Sequence, residues 1–155
     1  MTPAINSAKQ AGFAFQLHEY DHDVAAPSYG LEAAEKLGIA VEQVFKTLVV
    51  KLDGKQLAVG IVPVHRQLGL KQIAKAAGAK KATMAEPTEV ERTTGYVLGG
   101  VSPLGQKRRL ATFIDISADT YPSIYVSAGR RGLEIELAPR DLAKLSQATF
   151  VALAT

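Results

Sequence analysis

Two features of this 155-residue chain combine residue types that can do chemistry. The first is Lys46, set in the run Val44-Phe-Lys-Thr-Leu-Val-Val-Lys-Leu52. In a strand Phe45, Thr47 and Val49 share one face while Lys46, Leu48 and Val50 share the other. Both faces are otherwise apolar, so Lys46 points toward a core layer either way, and lysine is seldom buried without a partner. Such an amine can hold a phosphate, a carboxylate or a developing oxyanion. The plain alternative is a lysine that extends its amine past the strand end.

The second feature is Gly95-Tyr-Val-Leu-Gly-Gly-Val-Ser-Pro-Leu-Gly-Gln-Lys-Arg-Arg-Leu110. Tyr96 to Leu98 reads as a strand stopped by Gly99 and Gly100, which let a ligand approach the main chain. Pro103 stiffens the turn, and Lys107, Arg108 and Arg109 make a positive exit. Gly100 and Gly105 have P-loop separation, but Gln106 stands where that motif needs lysine, and Pro103 removes a cradle N–H. Ser102 fails as a nucleophile: the next residue, Pro103, has no N–H for an oxyanion hole, and no histidine follows His65. What survives is a loop whose backbone holds a small ligand, or a tight turn needing glycine for geometry alone.

Other candidates are weaker. His18 and His22 lie among carboxylates without a third ligand, so they read as surface residues rather than a metal site. Tyr20 and Tyr29 flank the loop between them and either line a pocket or simply pack. Glu134 alternates with Ile135 in a strand and shares a face with Glu136; one of those two carboxylates could face a cavity, with solvent the default expectation for that face.

Composition sets the frame. The chain is 47% hydrophobic and 21% charged, has no cysteine and carries a formal net charge of +3. Those values fit one globular domain spanning 1–155 and exclude disulfides, thiolate metal ligands and a cysteine nucleophile from the protein. No apolar run is long enough to cross a membrane, and the first residues lack the pattern of a secretory signal, so a cytoplasmic setting is expected. Lys80 and Lys81, Lys107 to Arg109, and Arg130 and Arg131 form three cationic clusters. Gathered on one face they would meet phosphates; dispersed, they only solvate the surface.

The elements that must position these residues follow from periodicity. Thr2-Pro3 opens a helix that Gly12 ends, and Phe13 to Tyr20 alternates as a strand. A helix over 31–37 precedes the strand Val44–Leu52, which Asp53-Gly54 turns into its antiparallel partner Leu57–Pro63. Leu70, Ile73, Ala74 and Ala77 mark a helix stripe, and Pro87 to Arg92 marks a shorter helix. Strands at 111–116, 123–127 and 133–137 come next, then a helix from Pro139 and a closing segment, 150–153. Strands do not alternate regularly with long helices. The expectation is therefore an α+β fold with a mixed, mostly antiparallel sheet and helices packed around it.

With Tyr20, the Phe45-Lys-Thr-Leu-Val-Val50 strand and the block from Thr94 to Leu110 quoted, the chain resembles the YbaK-type Cys-tRNA(Pro) deacylases, relatives of the editing domain of bacterial prolyl-tRNA synthetases. The resemblance runs from the first residues through Tyr125-Val-Ser-Ala-Gly-Arg-Arg-Gly-Leu-Glu-Ile-Glu-Leu137. It implies a barrel-like sheet and no cofactor or metal. It also implies hydrolysis of the ester joining cysteine to tRNA(Pro), with prolyl-tRNA synthetase as a partner. Cysteine and proline are similar in size, and binding alone separates such pairs poorly. The family's critical lysine matches Lys46, and its G-x-x-x-P loop matches Gly99–Pro103, with Gly99 and Gly100 fixing the ester. Tyr20, Tyr29, Thr47, Val101, Ser102, Pro103, Ser127 and Glu134 would line the substrate site. The cations Lys107, Arg108, Arg109, Arg130 and Arg131 would meet the tRNA. The family mechanism uses the substrate's own thiol as nucleophile, in keeping with the lack of a protein nucleophile. Two alternatives stay open: a deacylase for alanyl- or seryl-tRNA, and a non-catalytic tRNA- or synthetase-binding module. Glu134 replaces the family's usual aspartate, and Ala128 and Arg130 replace its glycine and lysine.

Overall fold

A computed structural model describes residues 1–26 and 28–155, so Pro27, in the loop between Tyr20 and Tyr29, lies outside the description. Helix α1 (Pro3–Ala11) starts where Thr2 Oγ1 accepts the Ile5 N–H at 3.2 Å, and ends at Gly12 with φ of 75°. Strand β1 (Gln16–Glu19) leads to α2 (Tyr29–Leu37), capped by Ser28. Next come the hairpin β2 (Phe45–Leu52) and β3 (Gln56–Pro63), α3 (Leu70–Ala76), β4 (Ala82–Met84) and α4 (Pro87–Thr94). Then follow β5 (Ala111–Asp115), β6 (Ile124–Arg130), β7 (Leu133–Leu137), α5 (Pro139–Ser146) and β8 (Thr149–Val151).

The strands form two sheets. An antiparallel sheet has the order β1-β7-β6, and a mixed one has the order β4-β2-β3-β5-β8. The β2–β3 register pairs Leu52 with Gln56, as the Asp53-Gly54 turn requires, while β3–β5 and β5–β8 are parallel. The α+β expectation therefore holds, with an open five-stranded sheet rather than a closed barrel. A parallel bridge between Val44 and Tyr125 joins the two sheets at the start of β2.

Both faces of β2 carry core residues, which is why its sequence is largely apolar. Phe45, Val49, Val59 and Ile61 enter a core shared with α1, β6, β7 and α5. Val50, Leu52, Ala58 and Val62 pack on the other side against Ile73, Ala74 and Leu153. A third cluster, Ala33, Ala34, Val44, Val64 and Tyr125, seats α2 over the joint between the sheets. On β7, Glu134 is buried beside its cross-strand neighbour Ser127.

Four expectations are corrected. Residues 96–98 form no strand: after Gly95 the backbone runs as a loop, anchored by the buried Tyr96, whose hydroxyl donates to the Leu104 carbonyl at 2.7 Å. The strand expected over 13–20 is paired only over Gln16–Glu19, and Leu17 stays 42% exposed because β1 is a sheet edge. Leu70 lies in the exposed first turn of α3, so only Ile73 and Ala74 of its stripe are buried. Glu134 is buried rather than turned to solvent.

Candidate active site

The joint between the sheets leaves a cleft of about 260 Å³. Strand β2 supplies Phe45, Lys46, Thr47 and Leu48, and the other sheet supplies Ser127 and Glu134 with Tyr20 just past β1. The start of α2 adds Ser28, Tyr29 and Gly30, and the loop after α4 adds Leu98, Gly99 and Val101. Lys46, Thr47, Gly99, Tyr20, Tyr29, Val101, Ser127 and Glu134 thus come together from six separate stretches of chain.

The polar groups of this cleft are under-partnered. Among the described residues Lys46 takes part in no ion pair, and burial lowers its pKa. Glu134 is 7% exposed, and burial pushes its pKa up to about 8, so its carboxyl is largely neutral at pH 7. Thr47 Oγ1 is buried without a hydrogen-bond partner. Burial, with the negative charges of Glu134 and Glu32, raises the Tyr20 hydroxyl to about 12. Buried polar groups normally find partners, so an unpartnered Thr47 hydroxyl beside a lysine and a buried carboxyl that form no ion pair marks a place for a ligand.

The glycine loop forms one rim. Gly100 N–H donates to the Val97 carbonyl at 2.9 Å, closing a turn in which Gly99 has φ of 88°. A Cβ on Gly99 would lie 2.5 Å from Arg131 Nε and 2.6 Å from Tyr29 Cε2, so only glycine fits. Gly100 is placed differently from the expectation: it packs against the β6–β7 turn, where a Cβ would be 2.9 Å from Arg130 Cα. Ser102 and Pro103 also stand behind the cleft wall. Ser102 is fully buried, with its Oγ accepting the Leu104 N–H at 3.2 Å, and Pro103 borders a separate hollow with Ser7 and Arg109.

The cations divide. Lys107, Arg108 and Arg109 are exposed beyond the loop, while Arg130 lies 3.8 Å from Glu19 at the surface. Arg131 is engaged at the rim instead, where it donates to the Leu98 carbonyl and lies over Tyr29. The histidines depart from the surface reading. His22 Nδ1 is 2.7 Å from the buried Glu32, and His18 Nε2 is 2.9 Å from Glu136. Burial would raise the Glu32 pKa, but His22, the Asp23 N–H and Lys36 together hold it at about 2. Among the described residues no three His, Asp or Glu side chains group as metal ligands.

Residues 26–145 match the aminoacyl-tRNA editing domain family. The chain belongs to that family. The editing domain is 42% identical over 122 residues to EbsC of Enterococcus faecalis, which carries the provisional name Cys-tRNA(Pro)/Cys-tRNA(Cys) deacylase. That match spans 79% of this chain and 74% of EbsC. It is 28% identical over 152 residues to the multifunctional Ser/Thr-tRNA deacylase ProXp-y of Escherichia coli K12, covering 96% and 87% of the two chains. Its fold matches a solved structure described provisionally as a trans-editing enzyme for prolyl tRNA synthetase, with a TM-score of 0.85 at 24% identity over 100% of this chain and 99% of that one. A second match, hypothetical protein APE2540, has a TM-score of 0.87 at 23% identity over 99% and 100%.

Sequence reasoning missed Ser28, Leu48 and Leu98 as parts of the cleft of this editing domain, and Arg131 as a rim residue. Ser28 was legible as a helix cap, since its hydroxyl faces the Leu31 N–H. The position of Arg131 depends on the β6–β7 turn meeting a loop more than thirty residues earlier, which no local signal carries.

Proposed function

We propose that this editing domain is a trans-acting deacylase that hydrolyses the ester of mischarged Cys-tRNA(Pro), working in the cytoplasm beside prolyl-tRNA synthetase, with all 155 residues acting as one unit. The observation that carries this reading is the cleft in which the Lys46 ammonium and the Glu134 carboxyl, neither in an ion pair among the described residues, meet the unpartnered Thr47 hydroxyl beside the Gly99 backbone. An aminoacyl ester offers complementary groups: an α-ammonium, a carbonyl that becomes an oxyanion, and a ribose hydroxyl.

No histidine lines the cleft, so its serine and threonine hydroxyls have no imidazole to activate them. On the family's mechanism the nucleophile is the substrate's thiol, which attacks its own ester carbonyl. The carbon–oxygen bond to the ribose breaks, the ribose oxygen takes up a proton, and water opens the resulting thiolactone. Lys46 balances the developing negative charge, and the loop holds the carbonyl in line. Lys107, Arg108 and Arg109 lie along the path of the acceptor strand.

A second reading rests on Glu134. A carboxyl titrating near pH 8 can take a proton from water, which would allow serine or threonine esters to be cleaved without a thiol. The likeness to the Ser/Thr-tRNA deacylase favours it. Deacylation of Cys-, Ala-, Ser- and Thr-tRNA(Pro) by the wild type and Lys46→Ala tests both readings. Loss confined to the cysteine ester is expected for the first, and comparable rates on serine or threonine esters for the second. Binding of tRNA without hydrolysis of any ester would leave only a binding module.

A further inference from the structure

Among the described residues Arg131 is the cation of the expected tRNA path whose guanidinium is bonded to the loop, although the residue stays exposed. Its Nε and Nη2 donate to the Leu98 carbonyl at 3.2 and 2.8 Å, and its Cζ lies 4.5 Å from the centroid of Tyr29. Tyr29 is braced in turn. Its ring lies 5.4 Å from that of His22, whose Nδ1 is held at 2.7 Å by Glu32. The second Glu32 oxygen accepts the Asp23 N–H at 2.7 Å and lies 3.0 Å from Lys36 Nζ. The guanidinium and Tyr29 fill the space where a Gly99 side chain would be, which fixes the turn from one side.

A trans peptide is planar, with its carbonyl and N–H pointing in opposite directions. The grip on the Leu98 oxygen therefore sets the direction of the Gly99 N–H. Leu98 and Gly99 both line the cleft, and the Gly99 N–H has no acceptor among the described residues. A cationic donor on the carbonyl also polarises the peptide and strengthens its N–H as a donor.

We propose that Arg131 is a positioning residue. By holding the Leu98 carbonyl against Tyr29, it aims the Gly99 N–H at the ester oxygen that gains charge during deacylation. The proposal rests on the deacylase reading above for the identity of that oxygen. It separates Arg131 from its neighbour Arg130, which keeps the phosphate-facing role.

The test compares Arg131→Ala, Arg131→Lys and Arg130→Ala. Single-turnover deacylation of Cys-tRNA(Pro) is measured between about 50 and 200 mM salt. Both Arg131 variants are expected to lose about tenfold or more in the rate constant, since a misaimed donor forfeits transition-state binding. Half-saturation and its salt slope stay within about twofold of wild type, and methylguanidine partly rescues Arg131→Ala. Lysine does not substitute, because it lacks the planar two-donor edge and the flat face for Tyr29. Wild-type rates in Arg131→Lys, or a loss confined to half-saturation with a shallower salt slope, would overturn the proposal in favour of a phosphate contact.

A second readout is independent of turnover: the Gly99 amide resonance with an amide-linked 3′-cysteinyl-adenosine. The analogue is expected to move that resonance in the wild type and much less in Arg131→Lys. An unmoved wild-type resonance overturns the proposal even if hydrolysis occurs. A moved resonance without hydrolysis of any ester supports the aim of the N–H and rejects the deacylase reading instead. If Arg131→Ala does not fold, Arg131→Lys alone decides.

Discussion

Lys46 and Glu134 face one cleft from two different sheets, yet no ion pair joins them. Burial pushes each toward its neutral form, lowering the lysine pKa and raising that of the carboxyl. Two opposite groups that could have neutralised each other are kept apart, each available to a ligand. A binding site for a substrate bearing both an ammonium and a developing oxyanion needs this separation.

Removal of the amine should therefore separate activity from stability. Lys46→Ala is expected to lower the single-turnover rate on Cys-tRNA(Pro) by about 100-fold or more, the scale of losing one preorganised oxyanion-stabilising group. Its melting temperature should hold or rise slightly, because an unpaired, half-buried charge has been deleted. A variant that melts much earlier than wild type would mean that Lys46 holds the fold.

The exposed cations make a different prediction. Reversing Lys107, Arg108 and Arg109 to glutamate should weaken tRNA binding and lessen its dependence on salt. Each lost contact with a single-stranded phosphate removes about 0.7 from the slope of log affinity against log salt, so three lost contacts would remove about 2. Filter binding across a salt series measures it. An unchanged slope would assign these residues to solvation alone.

The sequence carried the fold where burial is dense and local. The apolar run of β2, the Asp53-Gly54 turn and the Thr2 and Gly12 caps each encode their structure within a few residues, and each is found as read. It misled where long-range contacts decide. Tyr96-Val-Leu98 has strand-favouring residues, but the Tyr96 hydroxyl anchors it to Leu104 and among the described residues it pairs with no strand. Glu134 alternates like a solvent-facing residue, yet it is buried and lines a cleft built with Tyr20, Tyr29 and Lys46, all distant in sequence. Within the site, Lys46 and Gly99 were visible because their types conflict with their surroundings, whereas Arg131 was one more surface cation until the rim closed around it.

The pH dependence of folding should report Glu134. Its folded pKa of about 8 lies above the unfolded value of 4.5, so the folded state binds the proton more tightly. Its contribution is complete below pH 4.5 and is lost as pH rises toward 8, by about 1.4 kcal/mol for each unit of difference at most. Solvent reaching the cleft reduces that amount. Glu32 has the opposite sign and a separate window, since its folded value of about 2 stabilises above pH 4.5 and loses that effect as pH falls toward 2. Thermal melts from pH 5 to 8 should therefore show stability declining in the wild type and a flatter profile in Glu134→Gln. Equal slopes in the two proteins would place the titration elsewhere.

Thr47 offers the sharpest contrast between folding and function. Its Oγ1 is buried with no partner, a state that usually costs about 1–3 kcal/mol. Thr47→Val replaces the hydroxyl with a methyl group of nearly the same shape, so the variant should be more stable by about 1 kcal/mol. If the hydroxyl meets the substrate, the same change should slow deacylation about tenfold, because the substrate group left facing the methyl is then unpaired. Chemical denaturation and single-turnover kinetics on one preparation give both numbers. Greater stability with reduced activity is the expected pair, the mark of a polar group kept unpaired in the free protein for a ligand to satisfy. Greater stability with full activity would show that the hydroxyl is only a packing defect, and that the specificity of the cleft lies with Lys46, Glu134 and the Gly99 backbone.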